Sequence, residues 1–405
     1  MRVIHVFLLA GVLAAGVGAA GCEAKCKDID TVCTLVGTGE AGLDRNEGTP
    51  ARESVLFLPQ DTAFLPDGNL VITDWNNARI RLYDAESETV STMVGNGISA
   101  DGPPGPALMS SLNHMTGVTL DGNGGLLIAA YHNSRVKRLD LDSNIVEFLC
   151  GTGFRAFSGD GGPAEEADLD LPVAVVVDSF GRVIIADQAN NRLRRVDASD
   201  IITTVAGTGK GTGTDPVTMM PNPECIGASA QGTVDCFIDG DLLTATLNNP
   251  RGQSAEPSGR IAIDADDIIY VADTANNAIR RVDLAGDSMT TLAGLGPMEA
   301  GYSGDGGPAL EARLNHPSDI EVAADGTLYV ADTENHCIRA ITPDGTISTV
   351  AGVCGVSGPL KEGKNRLETH FNRPFALSIG PDGNLYVSDT GNNAIRVVYI
   401  STPPL

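Results

Sequence analysis

Five times along this 405-residue chain an aspartate is followed, seven residues later, by an arginine: Asp74 and Arg81, Asp187 and Arg194, Asp273 and Arg280, Asp332 and Arg339, Asp389 and Arg396. A carboxylate and a guanidinium facing each other across a short hairpin suit two-point ion pairing. A sixth copy carries Ala130 and Lys137, so the acid is lost in the one place where the arginine is lost. A structural pair explains that joint change, whereas a ring of catalytic aspartates does not.

Two other groups of residues could do chemistry. Residues 158–164 and 303–309 are the same string, Ser-Gly-Asp-Gly-Gly-Pro-Ala, with Asp160 and Asp305 at their centres; Asp101-Gly-Pro and Asp239-Gly-Asp241 are looser versions. Ca²⁺ wants six to eight oxygens and one Asp per loop supplies too few. The preferred reading is a tight turn in which Asp bonds its own backbone and Gly takes a positive φ. The histidines His114 and His316 stand in equivalent places, Leu112-Asn-His114-Met and Leu314-Asn-His316-Pro, with Leu171 and Arg373 at the matching positions elsewhere. A catalytic zinc needs three converging ligands and an open position. No such set can be assembled, and no Cys-x-x-Cys pair occurs. No cofactor is expected; Ca²⁺ and Zn²⁺ are the ions these residues bring into question.

The elements that carry these residues repeat. Leu328-Tyr-Val-Ala-Asp332-Thr-Glu-Asn335-His-Cys-Ile338-Arg339 recurs as Leu385-Tyr-Val-Ser-Asp389-Thr-Gly-Asn392-Asn-Ala-Ile395-Arg396, and again around Asp273, Asp187, Asp74 and, degraded, Ala130. The key positions lie 56, 57, 86, 59 and 57 residues apart, so the long interval holds an insertion, placed at 210–239. Within a copy, Ala174-Val-Val-Val-Asp178, Val183-Ile-Ile-Ala-Asp187, Leu193-Arg-Arg-Val-Asp197 and Ile202-Thr-Thr-Val-Ala206 read as strands separated by Gly, Asp and Asn turns. Four antiparallel strands repeated radially make a propeller blade, so the chain is expected to be all-β and six-bladed.

The Asp-x-x-Asn-x-x-Ile-Arg pattern and the strand ending Ser348-Thr-Val-Ala-Gly352 resemble the NHL-repeat family, and the resemblance runs from about residue 31 to 400. It implies a six-bladed ring around a central channel, with the second-to-third-strand turns and the interblade loops on one face. On that scaffold His114 and His316 are expected to face each other across the channel mouth, with Arg373 beside it. Trp75 and Tyr131, equivalent turn residues of adjacent blades, are expected to form an aromatic contact patch. The chain ends one strand short of a sixth blade, so Thr31-Val-Cys-Thr-Leu-Val-Gly37 is expected to close the ring. Closure removes exposed strand edges.

The N-terminus reads as an export signal: Arg2, an apolar stretch from Val3 to Ala20, then Ala19-Ala20-Gly21-Cys22. That last string resembles a bacterial lipobox, making Cys22 the lipidation site. The organisation expected is a signal peptide at 1–21, an anchor and linker at 22–30, the propeller at 31–400 and a tail at 401–405. Short separations pair Cys26 with Cys33, Cys225 with Cys236, and Cys337 with Cys354, leaving Cys150 buried and free. A net charge of −25 repels phosphate backbones and argues against nucleic acid. The function expected is a non-catalytic binding platform of the cell envelope with a protein, glycan or small-molecule ligand. The alternative is a metal-dependent lactonase- or lyase-like enzyme using the channel, as related six-bladed scaffolds do.

Overall fold

A computed structural model describes Cys26 and residues 28–44, 46–209, 237–250, 252 and 254–400. The signal segment, Cys22, the Cys225–Cys236 pairing and the tail lie outside these residues. The described chain forms six antiparallel sheets, one per blade. The innermost strands are Pro59–Phe64, Met115–Leu120, Pro172–Val177, Ile261–Ile263, Pro317–Val322 and Pro374–Ile379, for blades 1 to 6 in chain order. Thr31–Val36 pairs antiparallel with Ala394–Val398, so the N-terminal strand completes blade 6 and closes the ring. Blades 1, 2 and 6 each gain a two-residue fifth strand, at Thr49–Pro50, Gly105–Pro106 and Lys364–Asn365.

The β-branched runs explain the packing. Both faces of a blade are covered by its neighbours, so residues of either parity are buried. One cluster joins Tyr131 of blade 2 to Val173 and Ile184 of blade 3 and to Ile261 and Val271 of blade 4. Each such side chain contributes about 1.5–3 kcal/mol on burial. The glycine that ends each fourth strand is required by geometry. Gly151, for example, has φ +100°, and a Cβ there would lie 2.4 Å from the Ser134 carbonyl oxygen. Gly37, Gly95, Gly207, Gly294 and Gly352 repeat that approach.

The repeated Asp is a buried junction. In blade 5, Asp332 Oδ1 accepts the Asn315 N–H at 2.8 Å. Its Oδ2 accepts Asn335 Nδ2 at 2.8 Å and lies 3.4 Å from Arg339 Nη1. The corresponding Asp–Arg separations are 3.4 Å for Asp187–Arg194, 2.8 Å for Asp273–Arg280 and 3.4 Å for Asp389–Arg396. Asp74 accepts from Phe57 and Asn77 in the same way, while Arg81 reaches the Asp44 carbonyl. In blade 2, where Ala130 removes the acceptor, Asn133 Oδ1 takes the Asn113 N–H at 3.0 Å instead.

Cys26–Cys33 and Cys337–Cys354 are disulfides, and Cys150 is free and buried. Disulfides fit an exported protein. Among the described residues no helix is long and apolar enough to cross a membrane. Part of the expected insertion is back on the repeat pattern, because Asp239 binds Arg280 at 2.6 Å as Asp305 binds Arg339 at 2.6 Å.

Candidate functional site

The inner strands bring together residues that are far apart in sequence and form three layers along the ring axis. The outermost layer is a second insertion. Asn249 and His316 hold equivalent places, each with its N–H bonded to the Asn side chain that follows the previous blade's turn. Arg260 and Asp319 are equivalent by strand register. Eleven residues separate the first pair (260−249) and three the second (319−316), so blade 4 carries eight extra residues just before its inner strand. The described residues of this stretch roof the channel mouth. Gln188 Nε2 donates to the carbonyls of Pro250 and Glu256, both at 3.0 Å, and its Oε1 accepts the Ser258 N–H at 2.9 Å. Tyr131 donates to the Ala255 carbonyl at 3.0 Å, and Arg373 holds Glu256 at 2.5 Å and Glu334 at 2.8 Å.

This roof corrects two expectations. Tyr131 is fully buried beneath it and presents no contact surface. The mouth is covered by the chain rather than spanned by facing histidines. His316 is exposed beside Asn315, whereas His114 turns to its own blade. Trp75 of blade 1 and His114, His132 and Tyr131 of blade 2 meet in series, edge to face at the first two contacts and tilted at the third, with centroids 5.0, 4.7 and 5.0 Å apart. His132 Nδ1 lies 3.1 Å from His114 Nδ1, which also meets Asn113 Oδ1 at 2.6 Å. Burial, with His114 and Arg155 adding to it, pulls His132 down to about 4, so it is neutral at physiological pH. A cleft of about 120 Å³ remains between roof and ring, bounded by Leu58, Trp75, Pro257, Arg373 and Phe375.

The cluster sits where the repeat is weakest. In blades 3, 4, 5 and 6 the residue after the turn is Asn191, Asn277, His336 or Asn393, and its side chain accepts the next blade's N–H. Blades 1 and 2 have Ala78 and Ser134 there, both with left-handed φ.

Beneath the roof, Arg260 spans the channel as a strut. Its Nη2 meets Asp61 of blade 1 at 2.6 Å, its Nε meets Asp319 of blade 5 at 2.9 Å, and its Nη1 donates to the Thr116 carbonyl of blade 2. The second oxygens of the two aspartates accept N–H groups of the next blades, Val118 and Leu377, both at 2.8 Å. Every one of these buried charged groups is therefore hydrogen-bonded, although one cation faces two carboxylates. Equivalent positions in the other blades are Gly117, Ala174 and Ala376, which leave room for it.

The third layer is a cavity of about 410 Å³ between the strut and the far ends of the inner strands. Asp61, Ala174, Arg260 and Asp319 at its floor are buried, while Phe64, Leu120, Val177, Ile263, Val322 and Ile379 at its rim are partly exposed, so it opens at that end. Glu321 lines it one step above the strut.

Asp160 and Asp305, weighed for Ca²⁺, spend their oxygens within the protein. Asp160 binds Arg194 at 2.8 Å and Thr204 at 2.7 Å; Asp305 binds Arg339, Thr349 and Tyr302. Among the described residues, the one group of three close metal-type ligands is Cys26, Cys33 and Glu362, whose thiols form the disulfide. Arg260, Asp61, Asp319, Glu321 and His132 were missed by sequence reasoning. The shared Pro-x-Asp of Pro59-Gln-Asp61 and Pro317-Ser-Asp319 was the available signal, because charge at the third position of a buried strand needs a partner.

The fold and its repeated Asp–Asn–Arg junction define a six-bladed NHL-type propeller. The Teneurin NHL domain family matches residues 30–222 and 288–361, and the chain belongs to it. Teneurin-1 of Mus musculus is 25% identical over 392 residues, covering 91% of this chain and 13% of that protein. NHL repeat-containing protein 2 of Bos taurus is 27% identical over 357 residues, covering 86% of this chain and 47% of that one. The chain thus spans about an eighth of the teneurins it matches. A structure of an auxiliary nutrient binding protein from Bacteroides thetaiotaomicron superposes with TM-score 0.60 at 17% identity, over 90% of this chain and 75% of that one. A protein of unknown function from the same organism gives 0.62 at 16%, over 91% and 75%. At these identities the likeness is one of fold.

Proposed function

We propose that this propeller is a non-catalytic interaction platform of the bacterial cell envelope, tethered by a lipid on Cys22 and docking a protein partner at the joints between its blades. One observation carries the reading: apolar side chains are exposed at recurring places in the repeat. Three or four residues past the joint glycine stand Ile98 (59% exposed), Phe154 (75%), Met298 (85%) and Val356 (46%). The turn that follows presents Leu108 (58%), Leu243 (60%) and Leu310 (54%), each beside a buried neighbour in the same turn, and Leu367 (48%) at the matching place in blade 6. Isolated exposed hydrophobes are ordinary, but a repeated set on an otherwise strongly acidic chain marks a contact surface.

The alternative reading, channel-mouth catalysis on a metal, draws on the close contact of His114, His132 and Asn113. It needs substrate access where the roof of blade 4 is pinned by Gln188, Tyr131 and Arg373. The two readings separate in one experiment. The exported protein and a Phe154→Ser, Met298→Ser, Leu310→Ser variant are cross-linked on intact cells, beside a His114→Ala, His132→Ala variant. The platform reading expects the captured partner to be lost from the first variant and kept by the second. Unchanged capture by the triple serine variant, or hydrolysis of lactone or ester substrates that disappears with the two histidines, would sink it.

A further inference from the structure

The cavity beyond the strut is independent of the apolar surface at the blade joints. Its floor is closed by Arg260, its walls are the edges of six inner strands, and its rim is the apolar ring of Phe64, Leu120, Val177, Ile263, Val322 and Ile379. Within it the charges are unevenly satisfied. Arg260 carries one positive charge against two carboxylates, and each aspartate uses one oxygen on the guanidinium and the other on a backbone N–H. Those two aspartates are each committed through both oxygens to the strut and to the neighbouring blade. Glu321 is different: its one hydrogen bond is a long contact of 3.4 Å from the Ile379 N–H.

We propose that this cavity is a binding site for a small organic ammonium, an amine whose cationic head meets Glu321 and whose apolar body lies against the rim. Three features select that class. The floor already has an excess of negative charge, which disfavours anions and neutral acids. Only one carboxylate is free, too few for Ca²⁺ or another hard divalent ion, which wants six or more oxygens. The gradient from a polar floor to an apolar mouth matches a molecule polar at one end only, and its volume of about 410 Å³ lies within the usual range for small-molecule sites. Ser378 stands on the same level as Glu321 by strand register in the adjacent blade, and its hydroxyl, bonded to Thr62 Oγ1 at 2.6 Å, keeps a lone pair that can accept a further ammonium proton.

The protonation of Glu321 supplies a second readout. Burial pushes it up to about 8, and Asp319 and Asp61 add to the rise while Arg260 opposes it. The inner strands of blades 2, 3 and 6 place no ionisable side chain around the cavity. Near neutral pH the empty site therefore holds a proton that an arriving ammonium must displace. Binding should release protons and strengthen from pH 6 to pH 9, up to the amine's own pKa.

Isothermal titration with 2-phenylethylamine, in two buffers of different ionisation enthalpy, tests this; 2-phenylethanol is the uncharged control. The expected results are amine binding with a buffer-dependent heat, at least tenfold weaker binding of the alcohol, and loss of amine binding in Glu321→Gln. That substitution preserves shape and mimics the neutral form that burial favours, so it is expected to fold. Thr119→Phe, which fills the cavity and leaves the carboxylate in place, is expected to abolish binding too. Equal binding of amine and alcohol, unchanged binding in Glu321→Gln, or no binding of the amine at millimolar concentration would each overturn the proposal.

Discussion

Blades 2 and 5 lie opposite one another in the ring and meet the same structural demands with different residues. In blade 5 the buried cation is Arg339, placed between Asp332 and Asp305 and stacked 4.9 Å from the Tyr302 ring. In blade 2 it is Lys137, paired with Asp101 alone at 3.0 Å, with Ala130 in place of the second acid. The orphan N–H ahead of the inner strand is taken by Asp332 in one blade and by Asn133 in the other. The link from the third strand to the interblade joint is the Cys337–Cys354 disulfide in blade 5. In blade 2, Arg135 at the matching register serves instead, holding Asp101 and the carbonyls of Gly151 and Thr152. The lesson is that the backbone sets demands, namely a partner for each buried donor and a fastening for each joint. Several residue sets can meet them if they change together.

The largest expected effect breaks that coordination. Asp332→Ala alone strips a fully buried guanidinium of one of its two carboxylates, leaves the Asn315 N–H unpaired, and should cost about 3–5 kcal/mol in urea unfolding. Asp332→Ala with Arg339→Lys recreates the blade 2 pair, and the two changes should be coupled favourably by about 0.5–3 kcal/mol. A double variant no better than the sum of its parts would break the comparison.

The joint fastenings come next. Removing the disulfide with Cys337→Ala and Cys354→Ala, which frees a loop of separation 17, should cost about 3 kcal/mol. Arg135→Ala should cost about 1–3 kcal/mol, because its hydrogen bonds are replaceable by water at a partly exposed joint. Equal losses at the two joints would show that the fastening's chemistry does not matter.

The smallest effect is pH-dependent. His132 has its pKa depressed in the folded state, so the folded chain binds fewer protons than the unfolded chain between about pH 4 and the usual histidine value of 6.5. Stability from this group is present above pH 6.5 and is lost as pH falls toward 4. His132→Gln should therefore flatten the thermal-unfolding profile over that window, by about 2 °C relative to wild type. Blade 5 has Glu334 at the corresponding turn position, so Glu334→Gln should leave this histidine-derived slope in place.

The fold was legible in the sequence because each repeat carries its own instruction. The Asp-x-x-Asn turn, the glycine closing each fourth strand and the β-branched runs are local signals whose neighbours lie within one blade or the next. Ring closure was legible for the same reason, since the stretch around Cys33 matches a fourth-strand motif absent from the C-terminus. The site was not. Nothing near Arg260 in the sequence announces Asp61 or Asp319. The eight-residue roof was hidden within an interval already long from another insertion. The mouth geometry of His114 and His316 was misjudged because the roof and His132 enter from elsewhere in the chain.

What the sequence determined by itself was periodic: strand type, turn chemistry, the Asp–Arg junction and the Cys26–Cys33 and Cys337–Cys354 pairs, all set by steric and hydrogen-bonding preferences acting over a few residues. What the tertiary structure decided was everything on the axis. Six strands from six repeats meet there, and the residues they contribute fix whether the channel is open or strutted. Convergence from distant repeats leaves no local pattern to read, because the partners are brought together only by closing the ring.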